Sequence, residues 1–169
     1  MVNSSMKHIY YFIVFMFFGF NTFAQNYTRD AGIRVGEGVF MTYRQFFSED
    51  QAVEAMAGFS SRGFKVIAMR EYFHPIAPHK SDNLKLIYGY GIHGGVTYTN
   101  KFQVLHRVYY HDWKWSPQFG FDGIIGMEYR MNELPFVFNA AAQPYFEYSL
   151  NRYFQLKVFN FIISFKYRF

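Results

Sequence analysis

The C-terminal stretch Phe159-Asn160-Phe161-Ile162-Ile163-Ser164-Phe165-Lys166-Tyr167-Arg168-Phe169 decides how the chain is read. Phe159, Phe161, Ile163, Phe165, Tyr167 and Phe169 occupy every second position. Asn160, Ser164, Lys166 and Arg168 take the alternate positions, with Ile162 the one apolar residue among them. Successive side chains of a β-strand point to opposite faces, so this spacing predicts a strand with one ring-studded face and one polar face. At helical spacing the same rings would scatter around a cylinder and Lys166 would lie beside them.

The same period runs back through the chain. Leu84, Leu86, Tyr88, Tyr90, Ile92, Val96 and Tyr98 share a face against Lys85, Ile87, Gly89, Gly91, His93, Gly95 and Thr97. Phe119, Phe121, Ile125, Met127 and Tyr129 oppose Gln118, Gly120, Asp122, Gly126, Glu128 and Arg130. Phe136, Phe138, Ala140, Ala142 and Phe146 oppose Asn139, Gln143 and Glu147. Ile33, Val35, Val39, Met41 and Tyr43 suggest one strand in which Glu37 marks a bulge. Val53, Ala55, Ala57 and Phe59 alternate with Glu54, Met56 and Gly58. Phe64–Phe73 is apolar but mixed in phase, and Phe102–Tyr110 carries apolar residues on both faces.

Polar, Gly- or Pro-containing segments separate these runs at 48–51, 60–63, 75–83, 99–101, 111–117, 131–133 and 149–152. The partition predicts about eight strands, an even number suited to an all-β, eight-stranded antiparallel transmembrane β-barrel. In that arrangement the longer connections, 75–83 and 111–117, would face outside the cell. The shorter ones at 60–63, 99–101 and 131–133 would be periplasmic.

Alternation leaves open which face is inside. A water-soluble barrel would turn the apolar face inward. Aromatic residues make up 24% of the 169, with 23 Phe and 15 Tyr, and charged residues only 17%. So many rings would overfill the narrow lumen of eight strands, whereas lipid accepts them on the outside. The polar face carries Gly32, Gly36, Gly89, Gly91, Gly95, Gly120 and Gly126, which suits a confined interior. Mean hydropathy is −0.11, as expected where only alternate residues meet lipid. After residue 24 no apolar run approaches the ~20 residues of a spanning helix.

The N-terminus has a different plan. Lys7 precedes the apolar run Ile9–Phe20, and Asn21-Thr22-Phe23-Ala24 follows. Basic, apolar and small-residue regions in that order predict a secretory signal over 1–24, cut after Ala24, with residues 25–169 as the barrel domain. The protein would then be exported to the outer membrane of a Gram-negative-type bacterium. The formal charge of +5 is dispersed, so no nucleic-acid partner is expected. Outer-membrane lipid is the expected surrounding. Without cysteine, disulfides, thiolate metal sites and a cysteine nucleophile are excluded.

Three stretches carry a likeness to a known group. Lys166-Tyr167-Arg168-Phe169 closes an alternating strand. Tyr88-Gly89-Tyr90-Gly91-Ile92-His93-Gly94-Gly95 is the second. The third is Gly120-Phe121-Asp122-Gly123-Ile124-Ile125-Gly126-Met127-Glu128-Tyr129, followed by Leu134-Pro135. The chain resembles small bacterial outer-membrane β-barrel proteins of the OmpX/OmpA-like kind. The resemblance implies that Phe165, Tyr167 and Phe169 form an assembly signal, with the barrel assembly machinery as a transient partner. It implies no catalytic residue.

The inward face would hold Arg34, Glu54, Glu71, His93, Asp122, Glu128, Arg130, Lys166 and Arg168. Opposite charges confined there need partners, so an interlocked polar network that plugs the lumen is expected. A binding or proton-relay site around His93, Asp122 and Glu128 is the alternative reading of the same residues. A narrow solute pore and a lipid-modifying enzyme are further alternatives. For an enzyme, Ser116 and His111 offer a candidate hydroxyl and base in one loop region. His74 and His79, like His106 and His111, are five apart and match no tight metal motif, so no metal or cofactor is expected. Tyr109, Tyr110, Trp113 and Trp115 read as an interfacial girdle or as an exposed patch for an extracellular ligand or envelope protein. Asn26-Tyr27-Thr28 matches a glycosylation sequon, which carries no weight in a bacterial protein.

Overall fold

The computed structural model describes residues 28–60, 63–76, 83–104, 107–149 and 152–169. The expected signal segment, and Asn26 and Tyr27 of the sequon, lie outside the described residues. Ten strand segments follow one another: β1 Arg29–Val35, β2 Gly38–Ser48, β3 Gln51–Ser60, β4 Gly63–Pro75, β5 Leu84–Val104, β6 Arg107–Arg130, β7 Phe136–Ala142, β8 Tyr145–Ser149, β9 Arg152–Lys157 and β10 Phe161–Arg168.

They build eight staves. β7 and β8 both pair with β6, and β9 and β10 pair with β8 and β7 in turn, so each couple is one interrupted stave. Pro144, which has no N–H to give a ladder, lies at the first interruption. The second lies beside it, and Gln143 N donates to Asn160 O at 2.7 Å across the gap. β1 pairs antiparallel with β10, from Asp30↔Arg168 to Val35↔Ile163, and closes the sheet into an eight-stranded antiparallel barrel.

The alternating residues take the faces expected of them. On β10, Phe161 and Ile163 stand 73% and 66% exposed, while Ile162, Ser164 and Lys166 are buried. β4, mixed in phase by sequence, proves regular. Phe64, Val66, Ala68 and Arg70 point out, and Lys65, Ile67, Met69, Glu71 and Phe73 point in. Its inward face blends apolar with charged residues, which is why the alternation was blurred.

Two expectations about connections need correction. Residues 33–43 are not one strand with a bulge at Glu37. Gly36 and Glu37 form the hairpin turn between β1 and β2, where Gly36 N donates to Gly38 O at 3.0 Å. Conversely, 99–101 is not a turn, 111–117 is not a loop, and 102–104 and 107–110 do not form a separate strand. These residues extend β5 and β6, which pair from Leu84↔Tyr129 to Val104↔Arg107 with one register irregularity between Thr99 and Lys101. β4 leaves β5 at Thr97, and β8 leaves β6 at Gln118. Beyond those points the ribbon loses most of its wall pairing, keeping Gln103 against Arg152 of β9 and Ser116 against Ser149 of β8, so little buried face is left to impose a period of two. One strand gained and one lost leave the total at eight.

The up-and-down path also fixes which connections share an end. Those after β2, β4 and β6 lie at the end of the two termini. Those after β1, β3, β5 and β8 lie at the opposite end. The segment 75–83 therefore shares an end with 131–133, contrary to the expectation that they lie on opposite sides.

Candidate functional site

The barrel interior is layered along its axis because inward residues of neighbouring staves line up through the register. Nearest the termini, Phe46, Ala52, Phe73 and Ile87 pack together. The guanidinium of Arg44 lies 4.9 Å from the Phe46 and Phe73 ring centres, and that of Arg130 lies 5.2 Å from each, so cations cap these rings.

The next layer is ionic. Arg44 donates to Asp30 from Nε and Nη2, the latter at 2.6 Å, and to Glu71 Oε2 at 3.1 Å. Its Nη2 also lies 2.6 Å from Glu128 Oε2. Arg34 Nη2 donates to Glu54 Oε2 at 2.8 Å and reaches Glu71 at 3.5 Å. Lys166 Nζ stands 2.6 Å from the other Glu54 oxygen, and Arg130 Nε donates to Glu128 Oε1 at 2.7 Å. The Lys166–Glu54 and Arg44–Glu128 contacts are ion pairs whose atoms lie off hydrogen-bond alignment. Arg34, Arg44, Arg130 and Lys166 thus meet Asp30, Glu54, Glu71 and Glu128, charge against charge. Isolated ions in so dry a space would be costly, and mutual pairing offsets that cost.

An apolar collar follows, made of Phe40, Met56, Ile67, Met69, Ile124, Ala141 and Ile162. The interior is therefore not polar throughout, and Ile124 and Ile162, which interrupt the polar face in the sequence, are part of this collar. Arg34 crosses it, with Nη1 3.9 Å from Met69 Sδ and 3.5 Å from Gln143 Oε1.

Beyond the collar lies a second polar group. Gln143 Nε2 donates to Asp122 Oδ1 at 3.0 Å. His93 Nδ1 lies 2.6 Å from Asp122 Oδ2, and its Nε2 3.3 Å from Glu147 Oε2. Lys65 Nζ donates to Glu147 at 2.9 Å and sits 4.8 Å from the Tyr145 ring centre. Tyr145 donates to Glu37 Oε2 at 2.9 Å, and Lys157 donates to the other Glu37 oxygen. A cavity of about 20 Å³, lined by Arg34, Glu37, Lys65, Asp122, Gln143 and Tyr145 among others, lies between these layers. That is room for about one water molecule.

Gly120 makes the second group possible. A Cβ there would run into the Phe146 carbonyl oxygen and come within 2.6 Å of the His93 ring. Gly120→Val is expected to push His93 off Asp122 and to destabilise the barrel by about 1–3 kcal/mol. Urea unfolding in lipid vesicles measures the loss, and an unchanged midpoint would contradict this packing.

Of the residues singled out in the sequence, Arg34, Glu54, Glu71, Glu128, Arg130 and Lys166 join in the ionic layer. Arg168 is half-buried toward the terminal end. His93 and Asp122 meet in the second group, but Glu128 lies apart from them, and Glu147 holds the third place. Sequence reasoning missed Asp30, Arg44 and Lys65. Arg44 continues the parity of Thr42, and Asp30 that of Arg34, but both lie beyond the apolar positions that marked the strand. Phe165, Tyr167 and Phe169 follow the outward parity, with Phe165 stacked on Phe136 at 5.1 Å. Ser116 points inward and shares a hydrogen bond with Ser149 at 2.8 Å between hydroxyl oxygens. His111, His79, His106, Tyr109 and Tyr110 have side chains outside the described residues. Among the described residues no group of three or more His, Asp or Glu is placed to hold a metal ion.

A closed eight-stave barrel, ring-studded outside and ionic within, has the fold of an OmpA-like outer-membrane β-barrel. In particular it is similar to the N-terminal β-barrel domain of Pseudomonas aeruginosa OprF, with a TM-score of 0.55 over 83% of this chain and 95% of that one. Identity across the match is 11%, so the likeness is one of fold. No protein-family model and no curated protein matches the sequence.

Proposed function

We propose that this chain is a non-enzymatic structural protein of the outer membrane, exported by its N-terminal segment, with a lumen closed by its own side chains. One observation carries this reading: ionic layer, apolar collar and polar group succeed one another, leaving a cavity of about 20 Å³ among them. Eight staves give little bore to begin with, and a dry collar of Phe40, Met56 and Ile67 opposes an ion's passage. In planar bilayers the purified barrel should show no steady unitary conductance. A reproducible conductance step would overturn the plugged reading in favour of a pore.

In this reading the terminal end faces the periplasm, and the β5–β6 ribbon stands outside the cell as the surface for an extracellular ligand or envelope protein. Phe165, Tyr167 and Phe169 engage the barrel assembly machinery transiently. Membrane fractionation with a heat-modifiability gel tests the location. The chain should pellet with outer membrane and migrate differently before and after boiling. A soluble periplasmic chain with no shift would overturn it.

A further inference from the structure

The outer wall carries almost no charge. Among the described side chains of the barrel wall, leaving aside Lys114 on the β5–β6 extension, Arg29 and Arg70 are the charged groups at outward positions. Arg29 begins β1 at the terminal rim, where its Nε donates to Gln45. Arg70 lies within the wall on β4, five positions before the strand ends at Pro75. An exposed arginine on a surface of rings and alkyl groups calls for an account, because an unmatched charge in hydrocarbon is costly.

Its surroundings supply one. Arg70 is flanked by Val53 of β3 and Tyr90 of β5. Tyr72 stacks on Tyr88 with ring centres 5.4 Å apart and 14° between planes, and the Arg70 guanidinium lies 5.6 Å from the Tyr72 ring centre. One Arg70 nitrogen donates to Gln51 Oε1 at 3.0 Å, toward the terminal rim. A guanidinium has five N–H donors, so this bond leaves others to offer.

Toward the barrel's middle the wall becomes hollow. Ala68 pairs with Ala55 on one side and Ile92 on the other, and its short side chain leaves room beside Ile92. The resulting groove has a volume of about 470 Å³ and is lined by Val53, Ala68, Arg70, Tyr90, Ile92 and Phe121 among others. Besides Arg70 and Tyr90 the groove meets Asp122, whose carboxylate is turned inward to His93 and Gln143, and its other lining side chains are apolar. The polar end lies nearer the rim and the apolar part nearer mid-barrel, which is the polarity of a lipid in the leaflet on the terminal side.

We propose that this groove binds one anionic glycerophospholipid, its phosphate on Arg70 beside the Tyr90 hydroxyl and an acyl chain lying over Ala68 between Ile92 and Phe121. The assignment rests on the membrane reading above. A guanidinium forms paired charge-assisted bonds to phosphate oxygens, and a shallow groove over Ala68 admits a chain that a wall of large side chains would turn away. Charge complementarity selects an anionic headgroup over a zwitterionic one, whose own ammonium competes for the phosphate.

The test uses the full folded chain in detergent micelles doped with phosphatidylglycerol or phosphatidylcholine, with native mass spectrometry counting the lipid retained. Wild type should keep one phosphatidylglycerol and hold phosphatidylcholine more weakly. Arg70→Gln should weaken retention about tenfold, the loss of one strong charge-assisted pair. Ala68→Trp, which fills the groove and leaves the charge in place, should weaken it as well. Arg29→Gln should retain lipid as wild type does. Equal retention by Arg70→Gln and wild type, an equal loss in Arg29→Gln, or no preference between the lipids would overturn the proposal. Both groove substitutions point outward, so the heat-modifiability shift should persist in them. Loss of that shift in wild type itself would instead overturn the membrane reading.

Discussion

Arg44→Met should cost the barrel about 3–5 kcal/mol, the range for removing one partner from a buried ion pair. Arg44 has no solvent exposure and joins Asp30, Glu71 and Glu128. Methionine replaces its bulk but strands three carboxylates around an apolar side chain. The rings of Phe46 and Phe73 lose a capping cation at the same time. Urea unfolding in lipid vesicles, followed by fluorescence of the two tryptophans, reads the loss. A second substitution, Glu128→Gln, should return part of the loss in the Arg44→Met background, because it removes one of the stranded charges. The coupling between the two positions should be nonadditive. Additive effects would mean that Arg44 acts through packing alone.

Ile125→Arg should cost about 2–4 kcal/mol, the range for a cation on the lipid face near the bilayer midplane. Ile125 is 56% exposed on β6 and sits between Tyr88 of β5 and Ala142 of β7. In water such a substitution on an exposed strand position would be nearly neutral, so the size of the effect reports the solvent outside the wall. Leu134→Arg supplies the control, since Leu134 is 51% exposed in the connection between β6 and β7 and should accept the charge within about 0.5 kcal/mol. Equal effects at the two positions would argue that hydrocarbon does not bathe Ile125.

The fold was legible wherever one face of a strand meets a uniform surrounding. Phe161, Ile163 and Phe165 announce β10 because everything outside them is alike. Legibility failed where a face is mixed or missing. The inward side of β4 alternates Lys65 and Glu71 with Ile67, Met69 and Phe73, since two polar layers and two apolar ones cross that strand. The β5–β6 ribbon beyond Thr97 and Gln118 has lost most of its inner face, and Thr99-Asn100-Lys101 then reads like a turn. Interior residues were found by parity, so His93, Asp122 and Glu128 all emerged together. Parity says nothing of height, however, and the collar that keeps Glu128 away from His93 depends on the register between staves. Asp30 and Arg44 escaped because strand ends carry too few residues to show a period.

The pairing of β1 with β10 has a consequence for how the molecule comes into being. The antiparallel seams of the other staves join segments nearer along the chain, but this one joins Asp30 to Arg168 and must wait until both ends are present. Bringing such distant segments together is entropically expensive and kinetically late. Until then the growing sheet carries two raw margins whose amides and carbonyls invite any stray strand. If the chain is exported to the outer membrane as proposed above, it would have to be escorted unfolded on the way, and the last link to form is the one that makes the molecule safe.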